Sequence, residues 1–293
     1  MSPGINSSDE PLLHALFVEK SYAIDNYHER TPDKAFWKGH YYSDKAPGTT
    51  ALALPSFAAS VALATGLEIG VNSEKGWLLT SWLSCAFSIA IVTAAGGVAC
   101  FQWLARRTGN VPAFIATLAL FLGSAPYPYA TMMYSHAFVV GLICIGLWAI
   151  DRDATSPAYL SRYGDWIAGS CLGFALASEF TAGLVIVGVC VYWAVQRGWR
   201  SAATGLIAAV PPLLLIPLYN YACFGVSFTL GYAHQATYPQ MKHGLFGIQW
   251  PNLVVAFKML FPPSRGLFFW TPFFLFSFWG YALMRKQRNP CFI

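Results

Sequence analysis

WLLTSWLSCAFSIAIVTAAGGVACFQWLA, residues 77–105, contains no Asp, Glu, Lys, Arg or His and runs directly into Arg106 and Arg107. It exceeds the ~20 apolar residues that carry a helix across the ~30 Å hydrocarbon core of a bilayer. Upstream, GTTALALPSFAASVALATGLEIGV at 48–71 is apolar but rich in small residues and interrupted by Pro55. Downstream, apolar runs recur at 111–125, 134–150, 165–178, 180–196, 201–221 and 266–284, with breaks that carry Pro, Gly or charge. The pattern predicts an all-α, polytopic transmembrane helix bundle of about seven spans, with 48–71 as an additional helix.

Composition excludes most other classes. Of the 293 residues 56% are apolar and 11% charged, far below the ~25% charge of a soluble domain. Such a chain cannot cover a water-facing surface of its own size, and it is too apolar for disorder. The net charge of +5 comes without the basic clusters of a nucleic-acid binder, so nucleic acid is not an expected partner. Membrane lipids are. No fixed-period repeat is present, and the cysteines sit mostly in apolar runs, where thiols act as small hydrophobes.

Residues 1–47 hold seven of the 13 acids and five of the 18 bases, with no long apolar run. Lys and Arg favour the cytoplasmic side. One alternation gathers nine bases at 106–110, 151–164, 197–200 and 285–293, namely Arg106, Arg107, Arg152, Arg162, Arg197, Arg200, Arg285, Lys286 and Arg288, against Asp151 and Asp153. The chain then divides into an extracytoplasmic juxtamembrane segment, 1–47, and a transmembrane helical domain, 48–293, with an outer loop at 222–265. A full crossing by 48–71 would invert every later sign, so 48–71 is expected at the outer interface. A hydrophobic helix preceding Met1 is also expected, because an outer amino-terminal segment needs something to carry it across. The arms 165–178 and 180–196 are short, which predicts a submerged turn at Glu179.

Chemistry concentrates on the outer side. Tyr22, Ile24, Tyr27, Phe36, Trp37, Tyr41 and Tyr42 suit a folded layer on headgroups. Ser7 or Ser8 can cap a helix over about 9–20 with Asp9 and Glu10 in its first turn. Lys45, beside Pro47 and Gly48, suits an anionic head, either ordinary phospholipid or a specific lipid phosphate. Arg265, in FPPSRGLFFWTP, can clamp phosphate or snorkel to headgroups. Ser135 and His136 follow the stiff SAPYPY break at 124–129, and both this break and Glu179 face outward.

The succession Asp9-Glu10, an interfacial helix and Tyr41-Tyr42-Ser43-Asp44-Lys45-Ala46-Pro47 resembles the first outer loop of the GT-C membrane glycosyltransferases, which include protein O-mannosyltransferases and bacterial aminoarabinose transferases. Those enzymes carry an Asp-Glu pair and a downstream Tyr-x-Glu-Lys-Pro-Pro. ATMMYSHAF at 130–138, GFALASEFTAG at 173–183, YNYACFG at 219–225 and FPPSRGLFFWTP at 261–272 are similar to later pieces of bacterial members. The resemblance implies transfer of a sugar from a polyprenyl-phosphate donor to a lipid, glycan or protein acceptor outside a bacterial cytoplasmic membrane, with no nucleotide sugar at the site. It implies Asp9 as the catalytic base and Lys45, assisted by Arg265, as the donor-phosphate site. Glu10, Tyr42, Asp44, His136 and Glu179 are accessory candidates. Asp44 stands at the Glu position that helps bind a metal in some members, and His40, His136, His234 or His243 could complete a divalent-metal site, although no ligand-spaced pair is present. Here the acidic pair is followed by Pro11-Leu12-Leu13 where the family has Arg and Tyr, which leaves Asp25 and Asp33 as reserve bases. A seven-span transporter or receptor-like protein is the alternative; it would carry ionisable groups within its spans, which these runs nearly lack.

Overall fold

A computed structural model of the protein describes residues 7–153, 156–242, 250 and 252–286. His243 and Arg288 lie outside them. The chain is mostly helical: α1 is Asp9–His14, α2 Gly48–Gly66, α3 Glu74–Thr108, α4 Asn110–Phe121, α5 Ser135–Ile150, α6 Ala158–Ser178, α7 Gly183–Arg197, α8 Trp199–Phe224, α9 Leu253–Leu260 and α10 Leu275–Lys286. Among the described residues, four helical segments are long and apolar enough to cross a membrane: α2, α3, Phe180–Arg197 (α7 with the turn before it) and α8.

The expectation of about seven spans is thus met in part among the described residues. α4 and α5 are apolar but have 12 and 16 residues, reaching only ~18 and ~24 Å. α6 has 21 residues because it starts well before the predicted 165 and takes in Arg162, so the first arm of the Glu179 hairpin is longer than its apolar run. Asp165 is accommodated by Arg152 at 2.8 Å.

Local chemistry sets the boundaries. Ser73 caps α3, its Oγ accepting from the Gly76 amide at 3.1 Å, with Glu74 at the positive end of the helix dipole. Arg106 and Arg107 occupy the last turn, and Gly109 follows at φ +82°.

The amino-terminal segment departs from an all-α plan. Strands β1 (Lys34–Trp37) and β2 (His40–Ser43) pair antiparallel with Lys34 opposite Ser43 and Trp37 opposite His40. Lys38 and Gly39 form the two-residue turn with φ of +49° and +91°, the conformation that matches strand twist in tight hairpins. The run of aromatic residues that suggested a headgroup layer favours strand pairing for the same reason: broad side chains pack well across a pleat.

Three contacts fix how α3 meets the region leading into and through α5. Cys85 Sγ donates to the Ala130 carbonyl at 3.6 Å, a Cβ on Gly96 would run into Gly141 Cα, and Arg106 Nη1 donates to the Asp151 carbonyl at 2.7 Å. The constant offset of these pairs makes the two segments parallel. α6 returns antiparallel to α5, with Gly164 against Ala149 and Gly146 against Leu172, and runs parallel to α8 through Gly169 against Gly205. One end of the bundle therefore gathers Arg106, Arg107, Arg152, Arg197 and Arg200; the other gathers Ser135, Glu179 and Gly225.

α2 starts at this second end, its Gly48 pressed on Ala177 and Ser178. Ser56 Oγ reaches the Ser84 carbonyl at 3.4 Å, so α2 pairs with the part of α3 before Cys85, which projects beyond Ala130. The core runs through Leu13, Phe57, Ile89, Phe138, Leu160, Leu172 and Trp193. A second core under the amino-terminal layer joins Leu12, Ile24, Tyr27 and Ala35 to Trp77, Tyr219 and Phe224.

Candidate functional site

The amino-terminal layer, the start of α2 and the segment after α8 converge on a group of buried carboxylates. Asp9, 2% exposed, accepts from Thr50 Oγ1 at 2.7 Å on one oxygen and from Ser7 Oγ at 2.8 Å on the other. Burial pushes its carboxyl up to about 6, against the lowering effect of the two hydroxyls and of Lys45. Ser7 or Ser8 was expected to cap α1, but no side-chain cap bond forms: the Ser8 hydroxyl pairs with Ser43 Oγ at 2.5 Å and Ser7 donates to Asp9. Asp9 is thus a group held at both oxygens by side chains, one of them from a different helix.

Glu10 is also buried, and burial pushes it up to about 7, opposed by Arg30. His14 stacks on Trp77 with ring centroids 3.6 Å apart and meets the edge of Phe57 at 4.9 Å. Burial pushes its imidazole down to about 4, which makes it neutral packing at physiological pH.

Lys45 is the cation of this group. Its Nζ lies 3.2 Å from Asp33 Oδ1 and 4.0 Å from Asp44 Oδ1, over the Tyr232 ring at 5.5 Å. Burial alone would lower its ammonium; the charges of Asp44, Tyr232 and Asp33 more than reverse that and raise it above the ordinary lysine value. Asp44 accepts from Gln235 Nε2 at 2.8 Å, and burial pushes its carboxyl up to about 6. Gln235 is fixed in turn: Ala35 and Gln235 form a bridge, and the Ala236 amide donates to the Lys34 carbonyl at 2.8 Å. Gly231 belongs here because a Cβ would fall 2.5 Å from Asp44 Cα. Tyr219 donates to the Ser43 carbonyl at 3.0 Å, tying α8 to the strand that carries Tyr42, whose ring meets the edge of Phe224 at 5.6 Å.

A third acid lies at the α6–α7 break. Ser135 Oγ donates to Glu179 Oε2 at 3.0 Å, His136 Nδ1 is 3.5 Å from the same oxygen, and Thr181 Oγ1 donates to Oε1 at 2.8 Å. Phe180 meets the Tyr232 ring edge-on at 5.9 Å, so the residue next to this acid touches the ring that Lys45 covers.

The fold therefore brings Asp9, Glu10, Tyr42, Asp44, Lys45, His136 and Glu179 to one end of the bundle. Arg265 is exposed, and no hydrogen bond or ion pair among the described residues joins its side chain to the others. Phe273, shortly after it, lies beside Gly123, which brings the carboxy-terminal helices to the same end. Asp25 is drawn away from the cluster by His40 at 2.7 Å and by the Tyr41 amide at 2.7 Å. Among the described residues no three His, Cys, Asp or Glu side chains converge as a metal site; His40 pairs with Asp25, and His234 packs on Trp37 at 4.4 Å. Sequence reasoning missed Ser7 and Thr50 as the holders of Asp9, and Gln235 and Tyr232 as those of Asp44 and Lys45. Thr49-Thr50 just after Pro47-Gly48 was a visible sign of polar groups entering an apolar helix, while Gln235 carried no local signal.

No protein-family model matches the chain, and neither a curated protein nor a solved structure shows significant similarity to it.

Proposed function

We propose that the protein is a GT-C-type membrane glycosyltransferase that moves a sugar from a polyprenyl-phosphate donor to an acceptor on the non-cytoplasmic side of a bacterial inner membrane. The observation that carries this reading is Lys45, a partly exposed cation between two carboxylates, in the same layer as a buried carboxylate held near neutrality, at the bundle end opposite the arginines. The separation of charge fits the positive-inside rule, with the arginine end cytoplasmic. α4, α5 and α6 then complete the crossings, and α2 lies at the outer interface with the projecting start of α3.

In this mechanism the acceptor hydroxyl replaces a hydroxyl partner of Asp9 and gives its proton to that carboxylate while its oxygen attacks the anomeric carbon. The carbon–oxygen bond to the phosphate breaks, and the electron pair leaves with the lipid phosphate. Lys45, exchanging Asp33 for the phosphate, meets the charge that develops there; Arg265 at the approach supplies a second contact. Attack opposite the leaving phosphate inverts the anomeric centre.

The test is release of polyprenyl phosphate from a glycosylated carrier by the purified protein. Asp9→Asn should abolish release with donor binding kept. Lys45→Met should weaken donor binding by about ten- to over a hundred-fold, the loss of a charge-assisted contact of about 1.5–3 kcal/mol. Unaltered turnover in Asp9→Asn would remove the base, and unaltered donor affinity in Lys45→Met would remove the phosphate grip.

A further inference from the structure

Beyond the phosphate grip, the geometry points to Glu179 with His136 as the subsite that holds the hydroxyl groups of the transferred sugar. This assignment rests on the transferase reading and on the rings that separate the acid from the cation. Lys45 lies over Tyr232 at 5.5 Å, and Tyr232 meets Phe180 at 5.9 Å; Phe180 directly follows Glu179. The cation is thus linked to the residue beside the acid through two touching aromatic rings, the kind of surface that packs against a sugar ring.

Each part has a matching chemistry. A pyranose or furanose presents apolar C–H faces to aromatic rings and hydroxyl donors at its edge. Glu179 is built to receive such donors. Its two oxygens are oriented by Ser135 and Thr181, yet a carboxylate has about four acceptor positions, so capacity remains. The acid sits where α5 begins and where the turn into α7 begins, so the amino-terminal ends of two helical segments favour its negative charge. His136 is half exposed beside it and is held against Tyr129 at 4.8 Å; its imidazole can give or accept a hydrogen bond to a second hydroxyl. A purely structural acid at a helix break would not need an exposed histidine and an aromatic path leading to a cation.

The experiment compares binding of bare polyprenyl phosphate with binding of polyprenyl phosphate carrying mannose, glucose or arabinose, in detergent, for the full chain and for Glu179→Gln and His136→Ala. His136 is half exposed, so its replacement leaves the bundle intact even if Glu179→Gln loosens the hairpin. The wild-type protein should prefer at least one glycosylated carrier about tenfold over the bare one, and both variants should lose that preference while still binding bare carrier as wild type does. Equal loss of both carriers in both variants, unchanged preference, or a wild type indifferent to every sugar would overturn the subsite and leave the transferase reading standing. A wild type that binds neither kind of carrier would overturn both.

Discussion

Asp9 shows what burying a carboxylate costs at the scale of one residue. Its carboxyl moves from 3.8 to about 6 on burial, so an ionised Asp9 at neutral pH opposes folding by on the order of 3 kcal/mol. Because the folded value is the higher one, its contribution is fully present below pH 3.8 and is lost as pH rises through about 6. Glu10, rising to about 7, and Asp44, rising to about 6, act in the same direction. His14 acts oppositely: with a folded value near 4 and an ordinary value of 6.5, its contribution is present above 6.5 and lost as pH falls through 4. Asp9→Asn removes one carboxylate from this balance while keeping an acceptor for Thr50. Its melting temperature in detergent should exceed that of wild type at about pH 8 and approach it as pH falls to about 4. Parallel melting curves across that range would show that burial of Asp9 carries no such cost. Higher stability together with lost turnover is the signature expected of a residue kept for chemistry.

Among the elements, helix pairs meet through glycine rather than through interlocking large side chains. A Cβ on Gly96 would run into Gly141 Cα, one on Gly169 into the Gly205 carbonyl oxygen, and one on Gly205 into the Trp193 ring. In a bilayer, where apolar burial gives helices little reason to associate, such backbone approach supplies the packing. Gly169→Ala should therefore separate α6 from α8 and cost about 1–3 kcal/mol, because backbone atoms on both sides cannot rotate away. Gly188, on the exposed face of α7, has nothing within 4 Å of where a methyl group would stand, and Gly188→Ala should be neutral or stabilise by a few tenths to about 1 kcal/mol. Thermal unfolding of the two variants side by side checks this; equal effects would mean that the close approach carries no weight. The hairpin β1–β2 belongs to the same scale. Neither its Lys38-Gly39 turn nor its pairing was read from the sequence, because the aromatic residues on either side serve a headgroup layer and a strand equally well.

For the molecule as a whole, the arginines at one end and the carboxylate layer at the other give a sidedness that can be measured. Arg107 makes a bidentate pair with Asp151, supported by Tyr192, and Arg152 pairs with Asp165, which also accepts from Ser201; through the residues that end α5, these ties join α3, α6, α7 and α8 at the arginine end. Lys38 and Arg200 are exposed at opposite ends. In intact cells a membrane-impermeant maleimide should label Lys38→Cys, and should label Arg200→Cys only after permeabilisation, each read against the unmodified chain. The reverse pattern would invert the orientation and place the carboxylate layer in the cytoplasm.

Hydropathy and charge along the chain are enough to establish a helical, membrane-type protein whose basic residues collect in one set of breaks, since both follow from contiguous residues. They also single out Lys45 at the entry to the bilayer interface, whereas Asp9 was singled out by the resemblance of its loop to the GT-C enzymes. Three-dimensional packing alone settles that α3 projects past its neighbours to pair with α2, that α6 draws Arg162 into a helix, and that Gln235 reaches Asp44 across 191 residues. Those outcomes depend on which surfaces pack together and on desolvation of the groups trapped between them, and no window of neighbouring residues contains that information.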